Sequence, residues 1–102
     1  MYEVHKQATA EDDLLAIWRY SSKAWSADQA DLYLDALNEG LAGLAENPRL
    51  GADCSRIREG YRRLHIRHHF VYYRLHAARI EIVRVLHERM DPDRNLTPPA
   101  DQ

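Results

Sequence analysis

Apolar and polar residues alternate from Tyr2 to Gln7, with Tyr2, Val4 and Lys6 on one side and Glu3, His5 and Gln7 on the other. That period of two predicts a short edge strand. From Thr9 the period lengthens. Leu14, Ile17, Trp18, Ser21 and Trp25 fall at helical spacing, with Glu11, Asp12 and Asp13 in the first turn, where the helix dipole favours acids, and Thr9 placed to cap. A second start follows at once, because Ser26 with Gln29 three residues on forms a capping box. Ala30, Leu34, Leu37, Leu41 and Leu44 then form one apolar stripe, and Pro48 and Gly51 stop the helix. The pattern predicts an antiparallel helical hairpin of residues 9 to 25 and 26 to 46.

The second half reads differently. Tyr61 to Arg67, Phe70 to His76 and Arg79 to His87 are β-rich runs with links of about two residues, which predicts antiparallel neighbours. Leu64 with Ile66, and Val71 with Tyr73 and Leu75, mark the face that packs on the hairpin. In the last run Ile80 and Ile82 share one parity while Val83 and Val85 share the other, so that strand is apolar on both faces or carries a bulge. The order β-α-α-β-β-β predicts an α+β fold, a helical hairpin on a small antiparallel sheet.

At 102 residues, 45% hydrophobic and 29% charged, the chain suits one thin-cored domain, residues 1 to 96, followed by a polar, proline-containing tail from Thr97 to Gln102. A single cysteine, Cys54, excludes a disulfide framework or thiolate zinc cage within one chain. With neither a membrane-length apolar run nor a signal-like start, the sequence predicts a cytoplasmic protein with no membrane role. The net charge of -2 hides an asymmetry: residues 1 to 50 carry 4 basic and 9 acidic side chains, and residues 51 to 102 carry 10 and 7. Between Arg56 and Arg89 stand nine arginines, no lysine, three acids and five of the six histidines. Guanidinium forks in that density suit phosphate or carboxylate partners, against the plainer reading of a solvated sheet face.

Other chemistry fails on spacing. His65, His68 and His69 lack a completing cysteine or carboxylate pair, so neither metal nor cofactor is expected. His87-Glu88 opens like a zinc-protease signature, but Asp91 stands where the second histidine belongs. Cys54, between Asp53 and Ser55, has no adjacent base to make it a nucleophile. The hairpin aromatics Trp18, Tyr20, Trp25 and Tyr33 read as core and rim, and exposed tryptophans there would point to a protein partner.

Several segments together carry a resemblance. They are Asp13-Leu14 with Ile17, Ala30 to Leu37 with Leu41 and Leu44, and Asn47-Pro48-Arg49-Leu50-Gly51. Gly60-Tyr61-Arg62, Tyr72-Tyr73-Arg74, Ile82-Val83-Arg84-Val85-Leu86-His87 and Arg89-Met90-Asp91 follow. In this order the chain from Tyr2 to Leu96 resembles the ParE branch of the RelE/ParE toxins of bacterial type II toxin-antitoxin modules. The resemblance implies the hairpin-on-sheet fold, a small acidic ParD-like antitoxin wrapping the toxin, and poisoning of DNA gyrase without sequence-specific DNA binding by the toxin alone. On that reading Arg62, Arg63, Arg84, His87 and Arg89 face the target, and Trp18, Trp25, Arg74, Val83 and Val85 meet the antitoxin. The RelE relatives are ribosome-dependent messenger-RNA endonucleases. An equivalent site here would draw on Arg62, Arg63, Arg74 and Arg84, with Arg63 and Arg84 foremost, and His87 as acid/base, though the segment Glu88-Arg89-Met90-Asp91 lacks the aromatic that accompanies it. A third alternative is an inactive member that only binds its antitoxin.

Overall fold

The computed structural model describes residues 1–96, so the tail expected at 97–102 lies outside the described residues. The elements are β1 (Glu3–Lys6), α1 (Ala8–Ala24), α2 (Ala27–Glu46), β2 (Ala52–Asp53), β3 (Tyr61–Ile66), β4 (His69–His76), β5 (Arg79–His87) and a single turn, α3 (Pro92–Asn95). The strands form one sheet in the order β1-β5-β4-β3-β2, with the helical hairpin on one face. The expected α+β architecture is present, and β2 and α3 are additions to it.

Two local features depart from the sequence reading, and a third bears it out. The meander β3-β4-β5 is antiparallel as expected, but β1 joins β5 in parallel, Val4 opposite Ile80 and Lys6 opposite Ile82. The helical hairpin and meander together make the long crossover that parallel neighbours require. Second, Thr9 does not cap α1: the helix starts at Ala8 after Gln7, without a side-chain cap. The Thr9 hydroxyl donates instead to the Val83 carbonyl at 2.7 Å, on the edge of β5 that β1 leaves uncovered. Ser26, by contrast, caps α2 by accepting from the Gln29 amide at 3.1 Å. Third, the mixed parity of the last strand comes from a register shift: Tyr73 faces Ile82 while Tyr72 faces Arg84, so Val83 is the extra residue.

The shift gives β5 two apolar faces. Ile80, Ile82 and Val85 pack with Ala10, Leu14, Leu37, Leu41, Leu44, Val71 and Tyr73 in the core between hairpin and sheet. Val83 and Leu86 face the other way and pack with Tyr61, Tyr72, Cys54 and Leu96. This outer apolar face is thus closed by the chain's own 54–60 loop and by Leu96, just after α3. Arg58 holds that closure by donating to the Leu96 carbonyl. The β2 loop is tied to the core by Tyr73, whose hydroxyl donates to Pro48 O at 2.8 Å and accepts from Gly51 N at 2.9 Å. A Cβ on Gly51 would stand 2.6 Å from that hydroxyl and 2.7 Å from the Arg63 carbonyl, so the close approach requires glycine.

Candidate functional site

The site is built where β1 ends. Beyond Lys6 the edge of β5 has no strand partner, and the start of α1 takes over its polar groups. Gln7 N donates to Ile82 O at 3.0 Å and Thr9 to Val83 O. Asp13 accepts from the Val85 amide at 2.9 Å and takes the Arg84 guanidinium in a two-pronged pair, 2.7 Å from Nε and 2.9 Å from Nη2. The third nitrogen of Arg84 donates to Asn95 O at 2.8 Å, so one guanidinium joins α1, β5 and α3.

Next to this knot a groove of about 430 Å³ lies between α1 and the end of β5. Ala16, Ile17, Tyr20 and Trp25 line one side, Val85, Leu86 and His87 the other, with Tyr33, His69 and Met90 completing it. Its apolar groups are unusually open to solvent: Tyr20 is 70% exposed, Trp25 64% and Met90 40%. Exposed apolar side chains beside a concave apolar wall have the chemistry of a surface that a macromolecular partner can cover.

One imidazole at the groove, that of His69, is tuned toward the neutral form. Burial, and then the neighbouring His87 ring, push His69 down to about 4. Tyr33, raised by burial, keeps its proton, and its hydroxyl lies 2.7 Å from His69 Nδ1 while accepting from His68 N at 3.0 Å. This network assigns Tyr33 as donor to Nδ1 and leaves the His69 proton on Nε2. His87 lies edge-on to His69, with ring centroids 5.2 Å apart, and its Nδ1 accepts from Arg89 N at 3.1 Å. His65, outside the groove, and His68, in its lining, both bond Glu88, at 2.8 and 3.2 Å, and the His65 bond, joined by that of His68, holds this carboxyl below the usual range.

The residues singled out from sequence scatter over both faces. Trp25, Val85, Arg84 and His87 line the groove. Trp18 lies off it, donating to Asp31 at 2.8 Å. Val83 is buried in the outer cluster. Arg74 lies over the Tyr61 ring and donates to Glu81 at 3.3 Å. Arg62 is turned to the carbonyls of Gly51 and Arg49, at 3.0 and 3.3 Å. Register places Arg63, Tyr72 and Arg84 in one row across three strands, yet the two guanidiniums part company. Arg63 lies 4.1 Å over Phe70 and bonds the Tyr72 hydroxyl, and Arg84 is taken by Asp13. Arg89 is exposed after β5. Sequence reasoning missed Asp13, Tyr20, Tyr33, His69 and Met90 as groove residues. Tyr20 and Met90 left one usable signal, bulky apolar side chains off the predicted core stripe.

Cys54 is buried, and that burial raises its thiol above the ordinary value. Among the described residues no group of three or more His, Cys, Asp or Glu side chains could hold a metal ion, and no helix is long and apolar enough to cross a membrane.

Comparisons with known proteins agree. Residues 3–92 match the family model described as the ParE toxin of the type II toxin-antitoxin system parDE. Toxin ParE1 of Mycobacterium tuberculosis is 44% identical over 88 residues, 85% of this chain and 90% of that protein. Toxin ParE1 of Caulobacter vibrioides is 38% identical over 95 residues, 93% of this chain and 96% of its own. A chain from the chromosomal ParDE TA system of P. aeruginosa shares the fold, with a TM-score of 0.77 at 20% identity over 85% of this chain and 96% of that one. A family match along nearly the whole domain, with relatives covered almost end to end, has one meaning: this chain belongs to the ParE toxins of type II toxin-antitoxin systems.

Proposed function

We propose that this toxin acts in the cytoplasm by binding and poisoning DNA gyrase, and that a ParD-like antitoxin neutralises it by occupying the groove beside Trp25. One observation favours this reading over RNA cleavage: Arg84, which lines the groove with His87 and is one of the two arginines foremost for a scissile phosphate, is engaged by Asp13 and Asn95 O. A guanidinium already bonded through three nitrogens and partly shielded from solvent has little left to offer a transition state. The remaining exposed groups, Trp25, Tyr20, Met90 and Arg89, are those of a binding surface.

Induction of the toxin alone in bacteria tests the proposal. A DNA-damage response with intact transcripts is expected. Cleaved transcripts without that response would replace gyrase with RNA as the target, and unimpaired growth would indicate an inactive family member.

A further inference from the structure

A second groove adjoins the first. It has a volume of about 470 Å³ and shares Trp25 and Tyr33 with the apolar groove, so the two meet at the exposed indole as the two arms of one trough. Its chemistry is different. Beyond Trp25 the floor carries Leu32 and Ala36, the α2 wall carries Asp35 and Glu39, and Arg67 stands in the lining as its single cation.

The two carboxylates are a liability for the isolated toxin. At i and i+4 on one helix face they repel by about 0.2–0.5 kcal/mol. Asp28 and Asp31 continue the same ridge, and Asp31 alone is engaged, by Trp18. The ion pairs among the described residues gather on Glu88, Glu81 and Asp13, none on Asp35 or Glu39. The half of the chain that holds this ridge has 9 acidic and 4 basic side chains.

Resting on the antitoxin reading, we infer that the antitoxin segment in the trough changes character at Trp25. It is apolar where it fills the first groove and basic where it runs along α2, with lysine or arginine set against Asp35 and Glu39. The resemblance implies an acidic antitoxin, and this wall of the trough has the wrong sign for an acidic segment. From Gln29 to Glu39 the helix rises about 15 Å, room for roughly ten helical or four to five extended partner residues. Arg67 takes a carboxylate or main-chain carbonyl of the same segment. Such a pattern fixes direction as well as affinity, because a reversed segment would place its cations in the apolar groove.

The test pairs this chain with the product of the antitoxin reading frame beside its gene. Binding is measured at about 50 mM and about 300 mM salt, which brackets strong and weak screening. The double variant Asp35→Lys with Glu39→Lys should weaken binding by about tenfold at low salt, mostly through slower association, with the gap narrowing at high salt. Asp35→Asn with Glu39→Gln should lose about a third as much on the logarithmic scale. Reversal of Glu11 and Asp12, acids outside the trough, should change little. Both trough residues are exposed, so thermal unfolding should match the wild type. Unchanged or tighter binding by the double variant overturns the inference, as does an equal loss in the Glu11 and Asp12 control. Failure of the wild-type toxin to bind the antitoxin at all would instead overturn the reading beneath it.

Discussion

Replacing Asp13 by alanine removes three hydrogen bonds at once, two from Arg84 and one from the Val85 amide. Arg84 is only 24% exposed and Val85 is buried, so neither orphaned partner recovers full hydration. Breaking a fully buried ion pair from one side costs about 3–5 kcal/mol, and an unpaired buried amide about 1–3 kcal/mol. Residual solvent access lowers the first figure, which sets the expected loss near 3 kcal/mol. Against a typical total of about 5–15 kcal/mol this is a large fraction. For a domain of this size it corresponds to a melting point lower by about 15 °C. Urea unfolding followed by circular dichroism measures it. A cycle with Arg84→Met should show coupling, the double variant losing less than the sum of the singles, because methionine removes the stranded charge. A loss under about 0.5 kcal/mol in Asp13→Ala, or additive singles, would refute the claim that Arg84 is committed to the fold.

Other consequences follow from the same geometry. His69 has its pKa depressed from the ordinary 6.5 to about 4, so between those values the unfolded chain binds more protons than the folded one. Stability is therefore full above pH 6.5 and falls as the pH drops toward 4, by about 1–2 kcal/mol after allowance for partial exposure. His69→Gln should flatten that slope in pH-dependent urea titrations, and an unchanged slope would place the buried titration elsewhere. Gly51→Ala should cost about 1–3 kcal/mol, because its methyl meets Tyr73 and the Arg63 carbonyl, and Tyr73→Phe in the same background should recover part of it. Trp25→Ala should leave the melting point unchanged while weakening antitoxin binding by about 2 kcal/mol, as read by calorimetry. Equal loss of stability and binding would make the indole a structural residue.

How far the sequence discloses the molecule depends on the range of each interaction. The stripes Leu14-Ile17-Ser21 and Ala30-Leu37-Leu41-Leu44 repeat within one helix and are readable from periodicity. The Ser26 cap spans three residues and is equally local. The parity change in β5 announced either a second apolar face or a bulge, and the strand has both. What stayed hidden joins distant segments. Alternation in β1 is the same whether the strand pairs in parallel or not. The two residues of β2 carry no pattern of their own and are held by pairing with β3 and by the bonds of Tyr73 and Arg62 to Gly51 just before them. Asp13 and Arg84 meet across 71 positions, so an acid read as a dipole partner is also the anchor of an arginine read as a target contact. Trp25 could be named from sequence as a possible partner contact, but the groove around it needs α1, α2 and β5 together.

Gyrase poisoning is the claim on which the account of this toxin turns. Purified gyrase, supercoiled plasmid and ATP are incubated with the toxin, then treated with detergent and protease, and linear DNA is quantified. Linear product should rise with toxin concentration and disappear when antitoxin is added first. Plasmid that stays fully supercoiled and uncleaved at toxin in excess over gyrase would contradict it.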